Sequence, residues 1–192
     1  MSAHRRDEYL QAARIALAPD RARIDLDLTP GIAVAETVLA DIDRDRSGTI
    51  SAGEARDYAR RVRQAITLDV DGTPLVVALA DVRFPEIAAI RNGEGAIHIE
   101  LGAIFPAASA GSHHLRYRNT HRADIGAYLA NVLVPASDRV SVSAQRRDVD
   151  QRELVVDYVL RADPMVRARR WWLAAVAGVW IALAVVWRRR RR

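Results

Sequence analysis

Between Asp43 and Glu54 the chain sets oxygen-bearing side chains at alternating positions around a single glycine. The run is Asp43-Arg44-Asp45-Arg46-Ser47-Gly48-Thr49-Ile50-Ser51-Ala52-Gly53-Glu54. No other stretch constrains the fold as much, because carboxylates gathered this closely repel one another unless a cation sits among them. A twelve-residue EF-hand loop takes oxygen ligands from positions 1, 3, 5, 7, 9 and 12 and turns sharply at position 6. Those positions are Asp43, Asp45, Ser47, the Thr49 carbonyl, Ser51 and Glu54, with Gly48 at the turn, where φ must be positive. Starting the loop at Asp41 would put Arg46 at the turn and Ala52 at the last position, so that register fails. The motif predicts a calcium site. Ser rather than Asp at positions 5 and 9, and the lack of a second loop of this pattern, predict weak affinity, about 10⁻⁵ to 10⁻³ M.

The loop needs a helix on each side. Ala35, Val38, Leu39 and Ile42 recur at helical spacing, predicting a helix over Ile32 to Ile42. A second is predicted from Gly53 to Ile66, with Ala55, Tyr58, Ala59, Val62, Ala65 and Ile66 on one face and Arg56, Arg60, Arg61 and Arg63 opposite. The helical unit therefore covers about residues 32–66. On either side the period changes to two. Residues 9–17 and 22–29 read as a hairpin around Ala18-Pro19-Asp20. Ile97, Ile99 and Leu101 alternate with polar residues, as do Leu115 and Tyr117, and Val140 and Val142; Leu154, Val156, Tyr158 and Leu160 make the last strand. Asp71-Gly72 and Asn92-Gly93 read as turns. The expected fold is mainly β: a β-sandwich over residues 4–162 with the EF-hand helices inserted between early strands.

The formal net charge of +5 suggests an affinity for nucleic acid until the charge is located. Residues 167–192 hold eight Arg and no acid, which leaves 21 Arg against 24 Asp and Glu in residues 1–166. A mildly acidic domain lacks the basic face that phosphates require, so no nucleic-acid partner is expected. The chain has no cysteine, which excludes disulfides and thiolate chemistry. Trp171 to Trp187 is a run of 17 residues without a charge, edged by Trp171, Trp172 and Trp187 and flanked by Arg. A helix over it would span about 25 Å, the short end of a membrane crossing. The expectation is a linker over 163–170, a single transmembrane helix over 171–187 and an Arg-rich tail over 188–192. Five Arg beyond the run place the tail in the cytoplasm and the domain outside it. Ser2-Ala3 reads as the end of a signal cleavage site, so a signal peptide is expected upstream.

Other candidate chemistry is weaker. His113 and His114 fall on opposite faces of one strand and read, with His121, as solvated residues and not as a metal site. Ser2-Ala3-His4 would suit copper or nickel if the amine were free. Ser112 lacks the second glycine of a nucleophile elbow, and Asp148 and Asp150 read as a turn. No active-site constellation emerges, so no enzyme is expected.

The stretches DEYLQAARIAL, LDLTPGIAVAETVLADIDRDRSGTISAGEA and YRNTHRADIGAYLANVLVP resemble a bacterial family of membrane-anchored EF-hand proteins of the cell envelope. These are similar to the extracytoplasmic domain associated with HupE/UreJ-type permeases, and the resemblance covers roughly residues 4–160. It implies an inner-membrane location, a domain outside the cytoplasm and a membrane-protein partner; only the calcium loop carries over residue by residue. Two functions follow as expectations: a calcium-stabilised extracytoplasmic interaction module, or an accessory subunit of a membrane complex, such as one for metal transport, with a weak or inert loop.

Overall fold

The computed structural model describes residues 7–106 and 109–163. The alternating residues form the strands expected of them. Strand β1 (Tyr9–Ala18) turns through Pro19 and Asp20 into β2 (Arg21–Pro30), with Ile15 opposite Ile24 and Ala18 opposite Arg21. Helix α1 (Ile32–Ile42), the loop and α2 (Ala52–Gln64) follow. Then come β3 (Ile66–Val70), β4 (Thr73–Pro74), β5 (Val77–Arg83), α3 (Ile87–Arg91) and β6 (Ile97–Ile104). The chain ends in β7 (Gly111–Asn119), β8 (Gly126–Val132), β9 (Val140–Arg147) and β10 (Glu153–Leu160).

The protein is mainly β. One five-stranded sheet has the order β5-β6-β2-β1-β8 and the other β4-β3-β7-β10-β9. Apolar residues of both sheets and of the helices merge into one core, which includes Ile15, Leu26, Leu101, Val38, Val62, Leu115 and Val156. Strand β8 runs parallel to β1, Tyr9 opposite Gly126 and Ile15 opposite Val132, a pairing that no local pattern announces. Its outer edge is closed by side chains from the other sheet: Arg147 donates to the Ala130 carbonyl at 2.9 Å, and the Val132 N–H donates to Gln145 at 3.1 Å. Satisfying these edge groups removes a template for pairing with another chain.

Two sequence expectations about the elements change. Helix α2 stops at Gln64, because Ile66 joins β3 opposite Asn119 and the Ala65 carbonyl accepts from Thr120. Asn92-Gly93 does not form a hairpin turn. It ends α3, a five-residue helix whose Ile87 and Ile90 are buried and which is too short for its period to register. Asp71-Gly72 is a turn between β3 and β4, with φ of 53° and 78°. Among the described residues no helix is long and apolar enough to cross a membrane. The expected span over 171–187, the Arg-rich tail, nearly all of the linker and Ser2-Ala3-His4 lie outside the described residues.

The histidine pair also departs from expectation. His114 is exposed, but His113 is buried against the Tyr158 ring at 5.5 Å. Its Nδ1 lies 2.6 Å from an Asp71 carboxylate oxygen and its Nε2 2.8 Å from the Ser109 carbonyl. Both partners only accept, so both ring nitrogens must carry protons and the imidazolium is favoured. The Asp71 contact foremost, and the Ser109 carbonyl after it, raise the His113 pKa above its ordinary value, against burial. A raised folded pKa gives stability that is complete below the unfolded value of about 6.5 and lost as pH rises through the folded one. The melting temperature is expected to fall on that alkaline side, and His113→Asn should flatten this limb of a pH–melting profile.

Candidate functional site

Helix α1 ends where its last apolar residue, Ile42, is buried, and Asp43 caps it through its N–H to the Leu39 carbonyl at 2.8 Å. Helix α2 starts at Ser51 with a capping box: the Ser51 hydroxyl accepts from the Glu54 N–H, and the Glu54 carboxylate accepts from the Ser51 N–H at 3.0 Å. Helix ends thus place the first and last acids of the motif, and the residues between them fold back on Asp43. Asp43 accepts from Ser47 N–H at 3.0 Å with one oxygen and from Gly48 N–H at 2.9 Å with the other. Asp45 accepts from Ser47 N–H at 2.9 Å. Glu54 Oε1 accepts from Arg44 N–H at 2.8 Å, while Oε2 accepts from the Ser51 hydroxyl at 2.7 Å.

The result is convergence. One carboxylate oxygen each from Asp43, Asp45 and Glu54 lies within 4.8 Å of the others. Calcium holds oxygens at roughly 2.3–2.6 Å, so ligands on opposite sides of one ion are about that far apart. The Ser47 hydroxyl donates to the Thr49 carbonyl at 3.1 Å, which brings two more of the motif's oxygens together. The donor set is all hard oxygen and fits a hard dication better than a transition metal. Gly48 has φ of 78° with nothing within 4 Å of a built Cβ, so its requirement is conformational and not steric. Arg46 also sits in the left-handed region, at φ of 58°, a feature the motif did not announce.

Asp45 is acidified chiefly by the Ser47 N–H, and Glu54 by the Ser51 hydroxyl and N–H. Both stay charged below the usual carboxylate range. Asp41, the first residue of the rejected register, faces elsewhere: its carboxylate pairs with Arg122 at 2.5 Å and its carbonyl accepts from Arg61 at 2.6 Å. Ile50 leaves the loop to pack on the core.

Behind the loop, a buried polar chain fixes α2 to the sheets. The Tyr58 hydroxyl meets the Tyr9 hydroxyl at 2.6 Å and His121 Nε2 at 3.1 Å. Gln11 donates to the His121 carbonyl at 2.7 Å and accepts from Asn119 at 2.9 Å; the Asn119 carbonyl oxygen accepts from His121 N–H at 2.9 Å. His121 therefore belongs to this junction and not to any site with His113 and His114. Sequence reasoning missed Tyr9, Gln11, Asn119 and Arg122, since contacts spanning 49 to 110 residues leave no local signal. A second polar concavity, about 290 Å³, lies on the outer face of the first sheet. Its Asp27 is already held by Arg14 at 2.6 Å and His98 at 2.5 Å.

Comparison with family models, with curated proteins and with solved structures finds no match for this chain.

Burial, helped by the charge of Arg122, lowers the His121 pKa to about 4. A depressed folded value gives stability present above the unfolded pKa and lost as pH falls toward the folded one. From about pH 6.5 down to 4 the domain should lose roughly 2–3 kcal/mol through this residue. Denaturant titrations across that range should show the loss, and His121→Gln should remove most of the slope.

Proposed function

We propose that this chain is a calcium-binding EF-hand protein of a bacterial inner (plasma) membrane. In this reading a β-sandwich outside the cytoplasm carries the helix-loop-helix, residues 171–187 anchor it, and calcium stabilises it as an interaction module without enzymatic activity. The observation that carries the proposal is the convergence of Asp43, Asp45 and Glu54 in the register the motif requires. The anchor rests on the apolar run, its Trp edges and its Arg flanks. The bacterial envelope and a membrane-protein partner rest on the resemblance of the quoted stretches.

Calcium acts here as a stabiliser, not an opening switch. A sensor exposes a Met-rich groove on binding. This chain has two Met, Met1 and Met165, and neither lies in the helix pair. The inner face of α2 is also pinned, because Tyr58 is bonded to both Tyr9 and His121.

Calorimetric titration of the full chain in detergent should show one calcium per chain. Glu54→Gln should weaken binding at least tenfold, whereas Asp41→Asn should leave affinity unchanged while costing stability through the lost Arg122 pair. Equal losses of affinity would place the loop in the wrong register. Because Asp45 and Glu54 are acidified, affinity should stay level from about pH 7 to 5 and fall only below.

Calcium at ten times Kd should add about 1.4 kcal/mol, a rise of a few degrees in melting temperature. A hydrophobic dye should bind the folded domain equally with and without calcium. A large calcium-dependent rise in dye binding would show an opening switch instead.

A further inference from the structure

The strands give the domain two unlike ends. The register puts the Pro19–Asp20 turn, Ile104, Val77 and Val132 at one end of the first sheet, since Arg21 faces both Ala18 and Ile104 and Ala103 faces Val77. In the second sheet Gly111, Val140 and Leu160 are aligned, and they lie at the same end, because the connections 105–110 and 133–139 both pass there between the sheets. The calcium loop follows β2 and α1 and so lies at the other end. Ten-residue strands separate the two ends by about 30 Å.

The chain leaves from the first of these ends. The Arg161 N–H donates to the Arg139 carbonyl at 2.8 Å, and Arg139 pairs with Asp163 at 3.1 Å, which fastens the exit beside the 133–139 connection. Seven residues separate Asp163 from Trp171. Fully extended they reach about 25–30 Å, so this end stays close to whatever residues 171–187 enter.

The same end carries unusual apolar exposure. Val76 is 84 % exposed, Ile104 81 % and Val134 94 %, and the register makes Val76 and Ile104 cross-strand neighbours. Among the described residues, one other large apolar side chain exceeds four-fifths exposure: Val149, at the opposite end, in the β9–β10 turn. Single exposed apolar residues are ordinary. Three along the end from which the chain exits, spread from one edge of the first sheet to the other, call for a covering surface. Of the charged residues there, Arg21 pairs with Asp20 and Arg139 with Asp163, each at 3.1 Å, and Arg161 donates to the Asp138 carbonyl at 3.2 Å.

We propose that this end rests on the lipid bilayer, with Val76, Ile104 and Val134 touching lipid and the calcium loop held away in water. The proposal depends on residues 171–187 spanning a membrane. The apolar contacts are individually weak, and they suffice because the tether makes docking intramolecular. The loop's three carboxylates then sit several Debye lengths from lipid phosphates.

The native chain has no cysteine, so single labels are simple to introduce. Val76→Cys, Ile104→Cys, Val134→Cys and Val149→Cys would each carry a nitroxide in the full chain, reconstituted in phosphatidylcholine vesicles. Collision with oxygen, which enters lipid, is compared with collision with a water-soluble nickel chelate. The oxygen-to-nickel ratio should be several-fold higher at the first three positions than at Val149. Adding one-third phosphatidylglycerol should not change it, because the contact is apolar. Equal ratios at all four positions, in a chain that floats with the vesicles and resists carbonate extraction, would overturn the docked end and leave the anchor standing. A chain that fails to float would overturn the anchor and the docking together. Spin–spin broadening at the first three positions that grows with protein-to-lipid ratio would assign the surface to a second copy and overturn the lipid contact.

Discussion

The helix pair stays on this protein because of one buried contact, the Tyr58 hydroxyl between Tyr9 and His121. Tyr58 comes from α2, Tyr9 from the first residue of β1, and His121 from the connection between β7 and β8. One hydroxyl thus joins the helical unit to the first strand and to the connection between β7 and β8. Each such hydrogen bond contributes only about 1 kcal/mol net, but leaving any member unpaired in the interior costs about 1–3 kcal/mol. The chain tolerates these polar groups because all of them are satisfied: Gln11, Asn119 and the His121 backbone complete one another. Apolar packing presses the helices onto the core, and this chain decides where they sit.

A fixed junction has consequences for the loop. Helix ends determine the positions of Asp43 and Glu54, and α2 does not swing freely because Tyr58 holds its inner face. Arg122 adds a second fastening from the loop-proximal side, bridging Asp41 and Asp124. The carboxylates are therefore brought together by the fold, with backbone N–H groups meeting their charge.

The two sheets solve a different problem, that of exposed edges. Strand β8 would present free N–H and C=O groups had Arg147 and Gln145 not reached across from β9. At the other edge of the same sheet, the β5–β6 pairing is broken by an irregularity between Leu79 and Asp81, which spoils the template. Strand β4 is only two residues long. Edge protection lets the ends of the strands, rather than their sides, serve as surfaces.

The sequence by itself determined whatever depends on local spacing. Alternation fixed the cores of β2, β6 and β7, because a strand turns its side chains to opposite faces with period two. The 3.6-residue period fixed α1 and most of α2, and loop chemistry fixed the positions of Asp43, Asp45, Ser47, Gly48, Thr49, Ser51 and Glu54. Its failures were local signals overruled at a distance. Ile66 fits a helical stripe but is claimed by pairing with Asn119. Asn92-Gly93 fits a hairpin but closes a helix. His113 looks solvated but is buried by the Asp71 turn and Tyr158. Only tertiary structure decided the parallel pairing of β1 with β8, the chain of Gln11, Asn119, His121, Tyr58 and Tyr9, and the placing of the Asp43–Glu54 loop at the end opposite Asp163. These rest on contacts between residues far apart in sequence, whose partners are chosen by the closure of the core and not by any neighbour.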